Sequence, residues 1–324
     1  MAHIVERCEK AISRGLEWLA GRVSAEGELE GSETVLFGYY KALLTFTAAG
    51  RYLEAERAAR KIKRDFYKDG QFGGEQYSAA TVGPIYRDSW LTWGAHIAGR
   101  YDMSVPAARA IARQLCGTTG GALAEGSART IDIGLTCCAL TALLAAGQSD
   151  AVLKGAELVR QLVEDQPEPE KALYFRWSPD NGFIRPGAGE DARGWTVQRS
   201  ESGQVYWYIG YALALMAQMN LLTGERKWID AAEKLLVFVK TCHPQIFEST
   251  SNGKIAWGCA EIFSVTGDAG FRDTAARMAE WICDVQAEDG RWFRSADQMI
   301  PVAYDATFER VFYLSRVARA LQRP

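Results

Sequence analysis

Apolar residues recur at helical spacing along almost the whole chain and predict about twelve helices of two kinds. In one kind the apolar residues form a single stripe and the remaining surface is charged, as in the segment 53–62. Helices with this pattern pack on one face and meet solvent on the other. We expect such outer helices at about 5–22, 51–67, 105–116, 149–165, 226–241 and 270–286.

The second kind is apolar nearly all round, which is typical of buried helices. The segments 135–144 and 206–216 show this most clearly. We expect these inner helices at about 33–48, 84–99, 130–147, 203–222, 253–266 and 303–322. Outer and inner helices therefore alternate along the chain.

A glycine-centred turn recurs between the helices at a mean spacing of roughly fifty residues, which indicates a repeated helical hairpin. Its copies lie at 25–29, 68–72, 119–123, 180–183 and 288–292. With 324 residues and 48% hydrophobic content, the chain can bury the core of one large domain. We therefore predict a single all-α domain over 1–324, an (α/α)6 toroid whose inner helices line a central cavity.

The longest connection between predicted helices runs over 166–202 and carries Pro167, Pro169, Pro179, Pro186, Trp177 and Trp195. A loop of this length is uncommon in a compact domain and often functional. One interpretation is a lid over one end of the barrel. The other is an insertion without a function of its own.

The net charge, the lengths of the apolar runs and the first residues limit the classes of partner that we expect. The net charge of -3 shows no basic surplus of the kind that nucleic-acid or anionic-membrane binding usually leaves. No run of ~18 uninterrupted apolar residues occurs, and residues 1–7 lack the apolar core of a secretory signal. We expect a soluble, cytoplasmic protein that binds neither nucleic acid nor membrane, with an unknown oligomeric state.

Cysteine usage and motifs point away from redox, metal and nucleotide chemistry. The seven cysteines are scattered, odd in number and without a CxxC pair, which favours buried free thiols over disulfides or metal ligands. The chain contains no GxSxG elbow, no GxxxxGK[ST] phosphate loop and no GxGxxG after a strand. We expect no cofactor.

The turn Asp69-Gly70-Gln71-Phe72, its relatives at 180–183 and 289–292, and the helices that follow resemble repeats of a known superfamily. This is the superfamily of terpenoid cyclases and protein prenyltransferase β-subunits. The segment 304–315 is similar to the closing repeat of the β-subunits. The resemblance implies an α/α toroid and a largely apolar substrate.

The chain departs from that superfamily at both of its chemical signatures. Glu309 stands where the prenyltransferase repeat has a zinc-binding histidine, and no His/Cys cluster with ligand spacing replaces the zinc set. Cys242 and His243 are adjacent, a poor geometry for holding one ion. The DxDD acid motif of class II cyclases is also missing, since 130–134 contains the single Asp132. We therefore expect no metal site and no triterpene cyclisation by that route.

Several carboxylates fall in or near the first turns of the predicted inner helices: Glu33, Asp88, Asp132, Asp305 and Glu309. Equivalent helix ends meet at one rim of a toroid, where the helix dipoles favour negative charge. A ring of carboxylates at the mouth of an apolar cavity is a candidate acid/base site. For Glu33, Asp88 and Asp132, a role as helix cap or helix-dipole partner is the competing explanation.

Among Glu33, Asp88 and Asp132, Asp88 is the strongest candidate for a catalytic role. Positions 88, 92 and 96 lie on one helix face, so Asp88 and His96 form a candidate proton relay in a pocket of low dielectric. His96 is equally explained as a core histidine with its hydrogen bonds satisfied.

The last inner helix supplies a second candidate pair. Asp305 and Glu309 share a face, and two neighbouring carboxylates would raise the pKa of one of them. If Arg310 pairs with an acid of another repeat, the group is structural. Glu261, four residues after Trp257, adds a further acid to the same wall.

Aromatic residues on the inner helices are expected to shape the pocket: Tyr40, Trp90, Tyr206, Trp207 and Trp257. Such walls suit a polyene or carbocation, or the apolar face of a sugar. Our leading hypothesis is a cofactor-independent acid/base cyclase, isomerase or lyase acting on a small, largely apolar terpenoid- or polyketide-like intermediate. The alternatives are a carbohydrate-active (α/α)6 enzyme, meaning a glycoside hydrolase, lyase or sugar epimerase, and a non-catalytic helical-repeat scaffold.

Overall fold

The computed structural model describes residues 1–73, 83–187, 189–293 and 299–322, and twelve α-helices lie in these ranges. The outer helices are α1 (Ala2–Ala20), α3 (Tyr52–Asp65), α5 (Tyr101–Gln114), α7 (Ser149–Glu164), α9 (Lys227–Thr241) and α11 (Ala269–Asp284). The inner helices are α2 (Ala42–Ala48), α4 (Pro84–Ile97), α6 (Ile133–Ala145), α8 (Trp207–Thr223), α10 (Gly253–Thr266) and α12 (Ile300–Leu321).

The inner helices close into a ring. Each packs against the next in the series α2, α4, α6, α8, α10 and α12, and α12 returns to α2. At this closure the Thr45 hydroxyl donates to the Phe308 carbonyl at 3.0 Å, and the rings of Phe46 and Phe308 meet edge to face. The outer helix α1 likewise contacts both α11 and α12. The predicted all-α (α/α)6 toroid is therefore confirmed.

The first inner helix is shorter than the predicted span of 33–48. It consists of a 3-10 turn, Leu36–Tyr39, followed by α2. The sequence Phe37-Gly38-Tyr39-Tyr40 explains the break, because glycine and aromatic residues have low helix propensity. The break also lets the Tyr39 hydroxyl accept a hydrogen bond from the Leu29 amide at 2.8 Å.

The first and the last of the repeated glycine turns pack closely against outer helices. Gly27 and Gly290 have φ values of 85° and 96°, in the left-handed region that favours glycine. A Cβ on Gly27 would lie 2.0 Å from the Arg57 carbonyl oxygen of α3, and one on Gly290 would lie 2.4 Å from that of Arg14 in α1. The last turn therefore packs on the first helix, as expected of a closed ring of repeats.

The connection 166–202 contains short strands rather than an unstructured loop. Its strands are β4 (Ala172–Tyr174), β5 (Arg176–Ser178), β6 (Gly182–Phe183) and β7 (Thr196–Gln198). Together with β1 (Tyr67–Lys68), β2 (Gln71–Phe72) and β3 (Ile131–Asp132), they form three small antiparallel sheets. Strand β5 pairs with β3, so this connection is fastened to the start of α6.

The closest approach of two inner helices predicts a large effect of a small substitution. A Cβ on Gly210 of α8 would lie 2.1 Å from the Lys254 carbonyl carbon of α10. We expect Gly210→Ala to destabilise the protein by about 1–3 kcal/mol, because the backbones must separate. Urea unfolding measures this change. Gly117→Ala, where no atom lies within 4 Å of the added Cβ, is the control and should stay within about 0.5 kcal/mol of wild type.

No helix among the described residues is long and apolar enough to cross a membrane.

Candidate active site

Asp132 begins the inner helix α6 and is fixed there by two local structures. Its side chain caps the helix, with Oδ1 accepting a hydrogen bond from the Leu135 amide at 2.9 Å. Its backbone lies in β3 and pairs with Arg176 of β5 in the antiparallel register. The sheet therefore brings a basic side chain from the connection 166–202 to the predicted rim of the toroid.

The second carboxylate oxygen of Asp132 faces Tyr208 and Arg176. The Tyr208 hydroxyl donates to Oδ2 at 3.2 Å, and the Arg176 Nε lies 3.7 Å from the same oxygen. Burial raises the pKa of the Asp132 carboxyl, while the hydrogen bond from Leu135 and the charge of Arg176 oppose the shift. Asp132 is only 2% exposed. Its carboxyl therefore holds a proton at higher pH than an ordinary aspartate.

A cavity of about 380 Å3 opens in front of this carboxyl. Trp207 forms one wall, and its ring stacks on Tyr208 with the centroids 3.8 Å apart. The other lining residues include Leu135 and Val205, which are apolar, and the charged side chains of Glu125, Arg176, Asp191 and Arg193. This volume is at the small end of the range for ligand pockets, ~300–1,000 Å3.

A separate cluster of four charged side chains lies inside the ring. The Lys41 ammonium contacts Asp305 and lies 3.0 Å from Glu309, and the Lys254 ammonium lies 2.6 Å from Glu309. All four side chains are buried. Two cations and two anions alternate, so the like-charge carboxylate pair predicted for Asp305 and Glu309 is replaced by ion pairs.

Aromatic rings surround this cluster. The Lys41 ammonium lies 5.3 Å from the ring centroid of Tyr86 and 5.1 Å from that of Trp90. The Lys254 ammonium lies 5.5 Å from the centroid of Tyr211 and 5.6 Å from that of Tyr313. Cation–π contacts of this length stabilise a desolvated ammonium group. The rings therefore help to solvate charges that water does not reach.

The axis of the ring is filled more densely than the predicted open cavity. Large aromatic side chains from four inner helices pack there, with Trp90, Trp93 and Phe312 in mutual contact with Trp257. The space left between Trp90, Trp93, Tyr211 and Trp257 is about 10 Å3. The inner helices α4, α8, α10 and α12 each contribute aromatic residues that fill the axis.

Asp88 and His96 do not form the predicted relay. Asp88 is buried against Arg87, whose Nε lies 2.6 Å from Oδ1, and burial raises the pKa of the Asp88 carboxyl despite that partner. His96 lies in the last turn of α4, where Nδ1 contacts the Ser104 hydroxyl at 3.2 Å. Eight residues of helix separate the two Cα atoms by about 12 Å, too far for a shared proton.

Two further predicted residues have hydrogen-bond partners outside the cavity. Glu33 is exposed and accepts a hydrogen bond from the Gly31 amide at 2.8 Å. Arg310 is buried and donates to the carbonyls of Ala306 and Thr250, each at 3.0 Å. Their positions follow from turn and backbone hydrogen bonding rather than from a ligand.

Glu261 belongs to the far end of α10. Its carboxylate binds the Arg316 guanidinium through two contacts of 2.6 and 2.9 Å and accepts a hydrogen bond from the Trp257 indole at 2.9 Å. These contacts account for both carboxylate oxygens. Glu261 therefore links two inner helices and does not line the cavity in front of Asp132.

The predicted aromatic residues divide between the cavity and the core. Trp207 lines the cavity, whereas Trp90 and Trp257 pack in the axis, and the Trp90 indole donates to the Tyr211 hydroxyl at 3.0 Å. Tyr40 and Tyr206 are buried, and neither hydroxyl has a hydrogen-bond partner among the described residues. Burial raises the pKa of Tyr206 to about 12. Only Trp207 of this set contributes to the cavity wall.

Four residues of the two charged groups are not among those predicted: Lys41, Lys254, Arg176 and Tyr208. The sequence carried a signal for the lysines, because each is an isolated cation in an apolar inner helix and such a cation needs a buried partner. Nothing in the sequence around Arg176 indicated that a strand pairing would place it beside Asp132. Among the described residues, no group of three or more His, Cys, Asp or Glu side chains is arranged to hold a metal ion.

Comparisons with known proteins give the fold a wider setting. No protein-family profile matches the chain, and no curated protein sequence is significantly similar to it. Solved structures do match. A D-mannose isomerase superposes with a TM-score of 0.69 at 11% identity, over 96% of this chain and 97% of the other.

Two further structures match over nearly their full length. Cellobiose 2-epimerase from Bacillus thermoamylovorans superposes with a TM-score of 0.67 at 12% identity, over 97% of this chain and 99% of the other. The type II terpene cyclase MstE from Scytonema, bound to geranylgeranyl dihydroxybenzoate, has a TM-score of 0.61 at 14% identity, over 99% and 100%. The chain therefore has the (α/α)6 toroid fold, which these three solved structures share.

Proposed function

We propose that the chain is an enzyme that catalyses a cofactor-independent acid/base reaction, with Asp132 as the proton donor. One observation carries this proposal. Asp132 is a buried carboxyl with a raised pKa, and it lines a cavity beside an aromatic wall. Groups of this kind are suited to general acid catalysis. That the fold neighbours are enzymes adds support.

The partners of Asp132 suit both of its protonation states. The protonated carboxyl donates from Oδ2 to a substrate atom in the cavity. The carboxylate left behind is then stabilised by the Leu135 amide, the Tyr208 hydroxyl and the nearby charge of Arg176. Removal of a proton from a neighbouring substrate carbon returns Asp132 to its acid form. The net result is an isomerisation or a cyclisation, in which a substrate carbon receives the proton.

The cavity favours a small substrate with a substantial apolar part. Trp207, Leu135 and Val205 offer it an apolar wall, while Arg176 and Arg193 offer charged donors for a polar group. Our leading proposal is therefore a terpenoid- or polyketide-like biosynthetic intermediate. The superfamily resemblance of the glycine turns supports the same choice.

Sugar isomerisation is the second candidate, and a specific feature favours it. Besides Asp132, the carboxylates of Glu125 and Asp191 line the same cavity, and Trp207 offers a ring on which a sugar could stack. Two fold neighbours are an isomerase and an epimerase named for sugars. A sugar enzyme would use two of these three carboxylates.

The charged cluster around Lys41 has a different place in this proposal. Asp305 and Glu309 are held by buried lysines and Asp88 by Arg87, so none of them is the proton donor that we propose. We assign these acids to the inner wall, where they fix the positions of the helices. His96 lies in the last turn of α4, too far from the rim of the toroid that holds Asp132 to take part in the proposed reaction.

Ligand binding by a Trp207 variant tests which substrate class is right. Native mass spectrometry and differential scanning fluorimetry are run against prenyl and polyketide intermediates and against hexoses and uronic acids. We expect the prenyl and polyketide intermediates to bind. Trp207→Ala should weaken that binding about tenfold or more, because it removes the aromatic wall of the cavity. Trp281→Ala, on the outer helix α11, is the matched control and should bind normally.

Binding by sugars alone would support the second candidate instead. Binding that survives Trp207→Ala unchanged would place the ligand elsewhere and overturn the proposed cavity. If neither the prenyl and polyketide intermediates nor the sugars bind, the result would favour a non-catalytic scaffold.

A further inference from the structure

Two cysteines face each other where the ends of the chain meet. Cys8 of α1 and Cys283 of α11 have their sulfur atoms 4.0 Å apart, although 274 residues lie between them in the sequence. Both are free thiols. Cys8 is fully buried, whereas Cys283 is partly exposed. We call the contact between α1 and α11 the seam of the ring.

Neighbouring contacts fix both sides of this sulfur pair. The Arg7 guanidinium binds Glu280 at 3.1 Å and also contacts Asp284, on either side of Cys283. One turn further on, the Gln286 amide donates to the Ala11 carbonyl at 2.9 Å. Because these contacts hold the two helices in register, the thiols face each other in the folded chain and would not do so by chance in an unfolded one.

The spacing is close to that of a disulfide. A bond requires the sulfur atoms to approach to about 2.05 Å, so each must move by about 1 Å, which rotation about the side-chain bonds can supply. Cys137, Cys138 and Cys259 are buried on inner helices.

A cysteine pair that reacts with peroxide needs one thiol that is oxidised first and a second that attacks the oxidised sulfur. Cys283 and Cys8 differ in this way. The hydrogen bond with Cys8 lowers the pKa of the Cys283 thiol, with the charge of Arg7 acting in the same direction. The hydrogen bond with Cys283 and, after it, burial raise the pKa of the Cys8 thiol. The partly exposed sulfur is therefore the one that meets an oxidant first, and the buried sulfur is positioned to react with it.

We propose that Cys8 and Cys283 are a reversible oxidation site that closes the ring covalently. The Cys283 thiolate attacks a hydroperoxide, the O–O bond breaks, and Cys283 becomes a sulfenic acid while the alcohol or water leaves. The Cys8 sulfur then attacks the sulfenic sulfur, the S–S bond forms, and the hydroxyl leaves as water with the Cys8 proton. Two thiols are oxidised and one hydroperoxide is reduced.

This site is independent of the chemistry in the cavity. Its effect is on the seam, where the first helix and the last hairpin are joined only by non-covalent contacts in the reduced chain. A bond across so long a loop constrains the unfolded chain strongly. We expect oxidation to raise Tm by about 5 °C, and a thiol reductant to reverse the shift.

The test uses the purified full-length protein treated with hydrogen peroxide. Remaining thiols are blocked, and peptides are mapped without reduction. We expect a mass lower by two hydrogen atoms, a cross-linked peptide pair containing Cys8 and Cys283, and the rise in Tm. In Cys8→Ser the sulfenic acid of Cys283 should persist and be trapped by dimedone, and the shift in Tm should be absent.

Cys116 provides the control for general thiol reactivity. Its pKa is lowered to about 7 by the hydrogen bond with Thr118, so we also expect it to react with peroxide. Cys116→Ser should leave the Cys8–Cys283 cross-link and the shift in Tm unchanged. A wild-type protein that forms only sulfenic or sulfinic acid at Cys283, or cross-links only through Cys116, would overturn the proposal.

Discussion

Replacement of Asp132 by asparagine is expected to lower turnover by about 10²–10⁴-fold without unfolding the protein. Asparagine keeps the size of the side chain and can still accept the helix-capping hydrogen bond from Leu135. Its amide nitrogen replaces Oδ2, the atom that faces Tyr208 and Arg176, and an amide is too weak an acid to protonate a substrate. Turnover of the substrate found in the ligand panel, measured with circular dichroism of the same sample, tests this prediction.

Asp268→Asn is the matched control for that variant. Asp268 also caps a helix, accepting from the amides of Gly270 and Phe271, but it is exposed on the outer helix α11. The same substitution there should change turnover less than twofold. Equal activity of Asp132→Asn and Asp268→Asn would show that Asp132 is only a cap.

The raised pKa of Asp132 also predicts how the variant's stability depends on pH. Because the folded pKa lies above the unfolded one, protonation of Asp132 favours the folded state, and this contribution is lost as the pH rises through the folded pKa. Asparagine does not titrate. Asp132→Asn should therefore be at least as stable as wild type at pH 7, and its advantage should shrink toward pH 4. The alkaline limb of the wild-type activity profile should report the same pKa.

The second large effect is expected in the charged cluster. Lys41→Met should destabilise the protein by about 3–5 kcal/mol, because it leaves Asp305 without that cation and Glu309 with one fewer in a buried site. Urea unfolding at neutral pH measures the change. Lys63→Met removes a lysine of the same length from an exposed ion pair with Asp102 and should cost less than about 1 kcal/mol.

A double variant separates the loss of charge balance from the loss of packing. Lys41→Met combined with Asp305→Asn leaves Lys254 and Glu309 as a balanced pair. The double variant should therefore be more stable than Lys41→Met alone, since the uncompensated carboxylate is gone. A double variant at least as unstable as the sum of the single ones would mean that the lysine matters through packing and not through its charge.

The ring of helices was predictable because its signals are local. Helical periodicity fixes which segments are buried, and the glycine turns at Gly27, Gly70, Gly120, Gly182 and Gly290 all have left-handed φ values. Each of these signals lies within a few consecutive residues. The break in the first inner helix was missed because its apolar pattern continues through Gly38, where helix propensity is low.

The candidate site was only partly predictable, because its partners come together through long-range contacts. Asp132 could be found from its place at the start of an inner helix. Arg176 could not, since β5 is three residues long and its pairing with β3 leaves no pattern in the sequence. The sequence of the inner helices indicated neither that Lys41, directly before α2, meets Asp305 of α12 nor that Lys254 of α10 meets Glu309.

The failed pairing of Asp88 with His96 has a simple geometric cause. A shared helix face places two residues in line, but each residue adds about 1.5 Å along the axis. Asp88 therefore lies near the start of α4 and His96 in its last turn, with Arg87 and Ser104 as their respective partners. A shared helix face shows that two side chains point in the same direction, but it does not show that they lie close together.

Proton transfer from Asp132 to the substrate is tested most directly by running the reaction in D2O. The account predicts that the wild-type product carries solvent deuterium on carbon, and that Asp132→Asn forms little or no such product while Asp268→Asn forms it normally. Mass spectrometry and NMR of the product locate the label. A wild-type product without solvent-derived deuterium, or equal labelling by Asp132→Asn, would contradict the assignment of Asp132 as the proton donor.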